Sequence, residues 1–407
     1  MNAPIFQNAE STMLDSIYIA MTGLHGYEEA LRVISNDTTN MNTPGFKGSA
    51  LQFSDLFYTN GGQSAQGGGH TASQLGFGLN TVGTLLNFKQ GQMQTTGNDL
   101  DLAVDGQGLF VLKAADGSLR YTRDGQFKFN TDGNLISSTT GEQVMALDST
   151  GSLAPVSIAA LKTSAAKPTT TVTFSGNLPS TSTGQTVGSV TVIDAAGGTH
   201  TLSAKLAPVS GKLGSWTVTL LDGTTTVGSG TIAFVNGKPA PANATVSLTY
   251  TPIGQSSMPL TLDFSNNVTS FDSGGQSTLA VASQDGYAAG NLTKTTFDST
   301  GTLVLTYANG QIAKGAQLAL GRFSSPDAVE AVGNNEFKVV NGRAWEMGVA
   351  GAGAFGTLHS GMVENSNVDL SQEFSNLVIM QRGYQASSQV VSTANDMLSE
   401  LFSMRGK

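Results

Sequence analysis

The sequence predicts a mainly β protein with an α-helix at each end: two nested β domains, plus a coiled-coil-like helical domain formed by the N- and C-terminal segments. Three observations carry that expectation. Only 12% of the residues are charged and 50 are glycine, in a chain rich in Ser and Thr, which is the composition of short strands joined by frequent turns. Near both ends, apolar residues recur at helical spacing. At 407 residues the chain is too long for one core, because domains usually hold about 100–200 residues.

The first element is a helix. From Met13, the residues Ile17, Ala20, Leu24, Tyr27, Leu31 and Ile34 step by alternating fours and threes and draw one stripe to about Met41. Ser11 or Thr12 is placed to cap its start. Asn42-Thr43-Pro44-Gly45 ends it, since Pro44 drives the preceding residue out of the helical region and Gly45 supplies a turn. The C-terminal segment mirrors this with Leu377, Met380, Tyr384, Val391, Ala394, Leu398 and Leu401, broken only by Ser387. Its other face carries Gln381, Arg382, Gln385, Gln389, Asn395 and Glu400, polar with little charge. Periodicity alone fits pairing of the two helices within one chain and pairing between copies equally well. Ordering a helix of this length costs more conformational entropy than one apolar stripe returns, and Gly23 and Gly26 each add about 1 kcal/mol against the first helix. Both ends are therefore expected to be loosely ordered in a free monomer and helical on assembly.

Between Asn60 and Gly76 the glycine-rich run Gly61–Gly69 reads as a flexible connector. Strands follow at 100–104 and 109–112, and segments 120–123 and 126–129 flank Asp124-Gly125, a hairpin-turn signal. From about 163 to 284 the composition shifts to Thr, Val, Ser and Gly. Strand-like runs at 171–174, 189–192, 215–221, 244–251 and 260–264 indicate a separate sandwich or barrel. After Gly286 the earlier pattern returns at 303–307, 317–323 and 337–340. The expected division is therefore 1–75 with 362–407 as helical domain and connector, 76–153 with 286–361 as a discontinuous β domain, and 154–285 as an inserted Thr-rich domain.

Motifs for chemistry are missing. The formal net charge of −9 comes with no Lys/Arg cluster, which argues against nucleic acid, and no apolar run nears the ~20 residues that span a bilayer. The first residues show no cleavable signal pattern. Without Cys there is no disulfide, thiolate ligand or cysteine nucleophile. Gly351-Ala352-Gly353-Ala354-Phe355-Gly356 has glycine-loop spacing but is followed by Thr357-Leu358-His359-Ser360, which does not open a helix and leaves no dipole for a phosphate. His25, His70, His200 and His359 lie far apart, and the acidic run at 98–105 lacks the register of a calcium loop. No G-x-S-x-G elbow is present. The sequence is thus read as a non-enzyme with no catalytic, cofactor or metal residues. An extracellular β-rich enzyme would need convergent ionisable groups, and a sugar-binding module more aromatics than Trp216 and Trp345.

The residues do resemble a known family. The run from Leu31 to Lys47, with Asn36, Asn40 and Thr43-Pro44-Gly45-Phe46-Lys47, looks like the N-terminal signature of bacterial flagellar axial proteins, the rod and hook subunits. Asp37, Thr38 and Thr39 depart from it where Asn, Ile and Ala are common. Val368-Asp369-Leu370-Ser371-Gln372-Glu373-Phe374 and Gln381-Arg382-Gly383-Tyr384-Gln385-Ala386 are similar to its C-terminal signature, and Thr96–Gly108 and Tyr121–Gly125 to its β unit. The resemblance covers about 13–153 and 286–407. The inserted domain, opened by Phe174-Ser175-Gly176-Asn177-Leu178-Pro179, is similar to that of hook subunits, with a distal rod or other axial component as the alternative.

The resemblance implies a structural subunit of the extracellular hook that polymerises head-to-tail into a flexible helical tube carrying torque. It implies partners as well: copies of itself, rod, hook cap and hook–filament junction proteins, and the type III export apparatus. Residues expected to carry self-assembly are Ile17, Leu24, Leu31, Ile34, Asn36, Asn40, Pro44, Gly45 and Phe46 at one end, with Phe374, Leu377, Gln381, Arg382, Tyr384, Gln385, Val391 and Leu398 at the other.

Overall fold

The computed structural model describes residues 3–60, 74–148, 150–340 and 342–405. Helix α1 spans Ala3–Thr39 and helix α2 spans Leu370–Arg405, and the intervening chain is almost entirely strand and turn. α1 begins well before Met13, so Ser11 and Thr12 lie inside the helix and do not cap it. Nothing in that first stretch breaks a helix. Pro4 sits in the first turn, where a missing N–H costs no intrahelical bond. At the far end Thr38 and Thr39 turn their hydroxyls back to the carbonyls of Ile34 and Ser35 at 2.8 and 2.7 Å, and Gly45 takes a φ of +71° that other residues rarely adopt. Asp369 caps α2, its Oδ1 accepting the Ser371 and Gln372 amides at 2.9 and 3.3 Å. Among the described residues no helix is long and apolar enough to cross a membrane.

The chain forms two compact units. The first comprises 1–158, 296–304 and 314–407, and the second 159–295 and 305–313. In the first unit, strands Leu109–Lys113, Leu119–Thr122, Gln143–Leu147 and Glu336–Val339 carry a core of Leu109, Val111, Tyr121, Met145 and Phe337. Trp345 packs edge-on against Tyr121 at 4.1 Å. A separate hairpin, Ser49–Asp55 with Leu79–Leu86, lies against α1. The glycine-rich connector at 61–69 lies outside the described residues, and Gln74–Gly76 pairs with Tyr58–Asn60 as a short ribbon.

The expected hairpin around Asp124-Gly125 does not form. Leu119–Thr122 pairs with Leu109–Lys113 and Glu336–Val339, while Phe127–Phe129 pairs with Leu135–Ser137. Gly125 serves a close approach: its carbonyl accepts the Leu102 amide at 3.0 Å, and a Cβ there would stand 1.7 Å from the Leu102 oxygen. The sequence resembling a dinucleotide loop is a single tight turn at Gly353–Phe355, followed by strand Thr357–Ser360.

The second unit is a sandwich of two five-stranded sheets among the described residues. Its core joins Val172, Phe174, Leu260 and Leu262 from one sheet to Val192, Leu206, Trp216 and Val218 from the other, with Phe174 and Phe264 stacked at 4.4 Å. Alternation of buried and open positions along Ser215–Asp222 is the period-2 signature of such a layer. Strand Thr171–Asn177 runs parallel to Met258–Asp263 at 171–173. Asn177 then pins the loop beyond, accepting from Thr269 Oγ1 and the Phe271 amide, both at 2.9 Å, and donating to the Phe271 carbonyl.

Candidate functional site

The site expected from sequence is the helical pair, and its residues divide by the face of the helix they occupy. α1 and α2 pack antiparallel: Gly23 faces Ser387, and one turn on Tyr27 covers Gly383. A Cβ on Gly383 would lie 2.7 Å from the Tyr27 ring, and one on Gly23 2.9 Å from Ser387 Oγ, so small residues set the close approach. Ser387 is therefore part of the seam and not a break in it. Ala20, Ala30, Ile34 and Ala394 are buried, while Ile17, Leu24, Leu31, Leu377, Val391 and Leu398 are half-buried. Tyr384 is exposed, because Gly383 takes the inward position one residue earlier. On its other side α1 rests on the hairpin: Gly26 meets Leu79 and Phe53, and the Leu79 amide donates to Thr22 Oγ1 at 3.3 Å.

Beyond the seam, α2 keeps large apolar side chains exposed on several sides of the helix. Phe374, Val378, Ile379, Tyr384, Val390 and Phe402 on α2 are exposed, Ile379 by 60%, and Gln381, Arg382 and Gln385 are exposed among them. Leu14, Tyr18 and Met21 continue the exposure on α1. A shallow apolar cavity of about 530 Å³ lined by Ala386, Val390, Thr393 and Met397 opens on the pair. Patches of this kind mark interaction surfaces.

At the root of the helices the sequence signatures converge. Asn36 is exposed and Asn40 half-buried, the amide of Asn40 donating to the Asn36 carbonyl at 2.9 Å. Both border a cavity of about 520 Å³ with Phe46, Asn334 and Asn335. Gly45 is buried so tightly that a Cβ would meet the Asp124 nitrogen at 2.5 Å, and its amide donates to the Glu364 carbonyl at 2.7 Å. Asn335 donates to the half-buried Pro44 carbonyl at 3.1 Å.

Beneath that turn lies a charged group that periodicity did not reveal. Glu364 is fully buried and takes Lys47 Nζ at 2.6 Å on one oxygen and Arg123 Nη1 at 3.1 Å on the other. Lys47 also donates to the Lys89 carbonyl, the Gly91 amide to Glu364 Oε1, and Arg123 to the carbonyls of Val104 and Gly106. Burial pulls the Lys47 ammonium below its ordinary pKa, and Glu364 opposes that shift. One carboxylate thus ties the turn after α1, the β unit and the strand before α2. The signal for it was weak: Lys47 and Arg123 stand inside the T-P-G-F-K and Y-T-R-D-G runs, but Glu364 belongs to no pattern.

Asp37 is buried beside this root and accepts the Ser49 amide at 2.7 Å. Burial raises its carboxyl to about 6, and nearby Glu373 adds to the shift. Among the described residues no group of three His, Asp or Glu is placed to hold a metal ion.

The relatives of the chain are flagellar proteins. Residues 103–191 match the flagellar hook protein FlgE/F/G D1 domain, and residues 359–404 the flagellar basal body rod FlgEFG protein C-terminal region. The flagellar hook protein FlgE of Salmonella typhimurium is 30% identical over 95% of this chain and 99% of its own length. That of Escherichia coli is 29% identical over 95% and 99%, and that of Borreliella burgdorferi 27% identical over 97% and 100%. The similarity runs through the inserted Thr-rich region as well as the ends, so the chain belongs to the flagellar hook protein FlgE family.

Proposed function

We propose that the chain is a structural subunit of the bacterial flagellar hook, polymerising head-to-tail into a flexible extracellular tube that carries torque from the rod to the filament. The observation that carries this reading is the set of large apolar side chains left exposed around α2 after α1 and α2 have paired. Pairing within the chain consumes one stripe of each helix, and Phe374, Ile379, Tyr384 and Phe402 are left for a neighbouring copy. Contacts between non-identical patches generate an open helix instead of a closed ring when the rotation does not close.

In this reading the division is 1–75 with 362–407 as the helical assembly domain, 76–153 with 286–361 as the middle β domain and 154–285 as the outer one. The helices build a stiff inner wall. The Thr-, Ser- and Gly-rich sandwich offers few charges, which suits outer contacts that slide as the tube bends. Rod, hook cap and hook–filament junction proteins are its neighbours, with delivery by the type III export apparatus, and no catalytic step belongs to it.

Electron microscopy of the concentrated chain tests the reading. Curved tubes are expected, straight tubes would indicate a rod subunit, and persistent monomers would refute assembly. Deleting 371–407 should abolish polymers and leave the β units folded.

A further inference from the structure

The first unit holds two acidic side chains with an incomplete hydrogen-bond count. Glu336 opens strand Glu336–Val339, opposite Thr122, and is 5% exposed. Glu142 follows the turn at Gly141 and precedes strand Gln143–Leu147. The two carboxyl groups touch, and Glu336 Oε1 and Glu142 Oε2 are both buried with no donor supplied by the protein. Thr140 Oγ1, two residues from Glu142, is likewise buried without a partner. Two carboxylates in contact and out of water repel each other strongly, and a single proton between them turns the repulsion into a short hydrogen bond.

The surroundings do not supply a counter-charge that removes this need. Arg120 acts on Glu142 but also faces Asp116 at 4.0 Å, and Asp116 pushes the opposite way. Lys338, two residues beyond Glu336, is engaged with Glu330 at 3.0 Å. Burial, followed by Glu336, raises the Glu142 carboxyl from 4.5 to about 7.

The position of the pair gives the proton a consequence. Glu336 directly follows Asn334 and Asn335, whose φ values of +52° and +58° form the tip of the hairpin between Val329–Gly333 and Glu336–Val339. Thr122 Oγ1 donates to the Asn335 carbonyl at 2.8 Å, and the Asn335 side chain holds the Pro44 carbonyl. We propose that Glu142 and Glu336 share one proton as a latch, fastening this hairpin to the segment that leads into strand Gln143–Leu147 and thereby steadying the Pro44-Gly45 turn from which α1 departs. Loss of the proton sets two negative charges against each other and loosens the hairpin, with the turn it holds.

Amide hydrogen exchange on the full chain, between pH 5 and 9 and corrected for intrinsic rates, tests the latch. Protection of 329–339 and of 45–47 should fall by about tenfold with a midpoint near pH 7, the Glu142 shift being discounted for partial solvent screening. In Glu142→Gln the amide donates to Glu336 at every pH, so the fall should vanish. Global stability has its own sign: a carboxyl raised from 4.5 to about 7 adds stability below pH 4.5 that is lost on approaching 7, with no further change above. The excess slope of the wild type over the variant should occupy that window. Glu336→Gln carries the same test should Glu142→Gln fail to fold. Identical profiles in wild type and folded variants would overturn the proposal. So would calcium restoring protection at pH 8.5 in the wild type but not in the variants, since a metal would then occupy the place of the proton.

Discussion

Replacing Glu364 by Gln keeps the shape of the side chain and removes the charge that Lys47 and Arg123 share. Lys47 and Glu364 have fully buried side chains and Arg123 is 2% exposed, so neither cation can turn to water. Glu364 accepts three donors, Lys47 Nζ and the Gly91 amide on Oε1 and Arg123 on Oε2. Gln offers one oxygen, and its NH₂ must face a donor on the other side. Removing one partner of a buried ion pair costs about 3–5 kcal/mol, a large part of the 5–15 kcal/mol that typically holds a domain together.

The two tryptophans separate the readout, because Trp345 lies in the first unit and Trp216 in the second. In urea, with a slope of roughly 2–3 kcal/mol per molar, the Trp345 transition of Glu364→Gln should move down by at least about 1 M. The Trp216 transition should stay where it is. Adding Lys47→Met should recover part of the loss, since one unpaired cation is then gone. A shift of the Trp345 midpoint worth under about 1 kcal/mol, or an equal shift of both transitions, would refute the account of the triad as the tie between the helix roots.

Further consequences can be measured separately. Asp37→Asn should raise stability at pH 7 by about 1 kcal/mol, because a carboxyl lifted from 3.8 to about 6 contributes stability below pH 3.8 that is lost by about pH 6; thermal melts across that range should flatten in the variant. In the seam, Gly23→Ala should be tolerated, since the Ser387 hydroxyl can rotate away and helix propensity gains about 1 kcal/mol. Gly383→Ala drives a Cβ into the Tyr27 ring, which Phe53 backs at a centroid distance of 6.3 Å, and should lower the helical melt through about 1–3 kcal/mol of overpacking. Tyr384→Glu should leave the monomer within about 0.5 kcal/mol of wild type and abolish sedimenting polymers. Amide exchange on a verified monomer should find 14–30 and 385–400 weakly protected; strong protection at both ends would contradict ordering on assembly.

Much of the fold was legible because its signals are local. The stripe Ile17, Leu24, Leu31, Ile34 and the stop at Pro44-Gly45 follow from helix period and backbone sterics alone. Strands such as Ser215–Asp222 were readable from alternation. The failures share a cause, which is that tertiary packing chose among locally equivalent options. Asp124-Gly125 has hairpin chemistry, but the close approach of Leu102 to Gly125 sends the next strand elsewhere. Tyr384 and Gly383 fit the stripe about equally by period, and the bulk of Tyr27 selected the glycine. Glu364 was invisible for a stronger reason: its partners lie 317 and 241 residues away in sequence.

Gly23 and Gly26 stand three residues apart on α1 and meet different neighbours, α2 on one side and the hairpin on the other. Glycine gives a helix its least intrinsic resistance to deformation, so the narrowest stretch of α1 is also its weakest as a free rod. Its bending stiffness there is borrowed from the surfaces that clasp it. A load applied along α1 is consequently passed sideways into α2 and the hairpin at this turn, and the rigidity of the segment rises or falls with that grip.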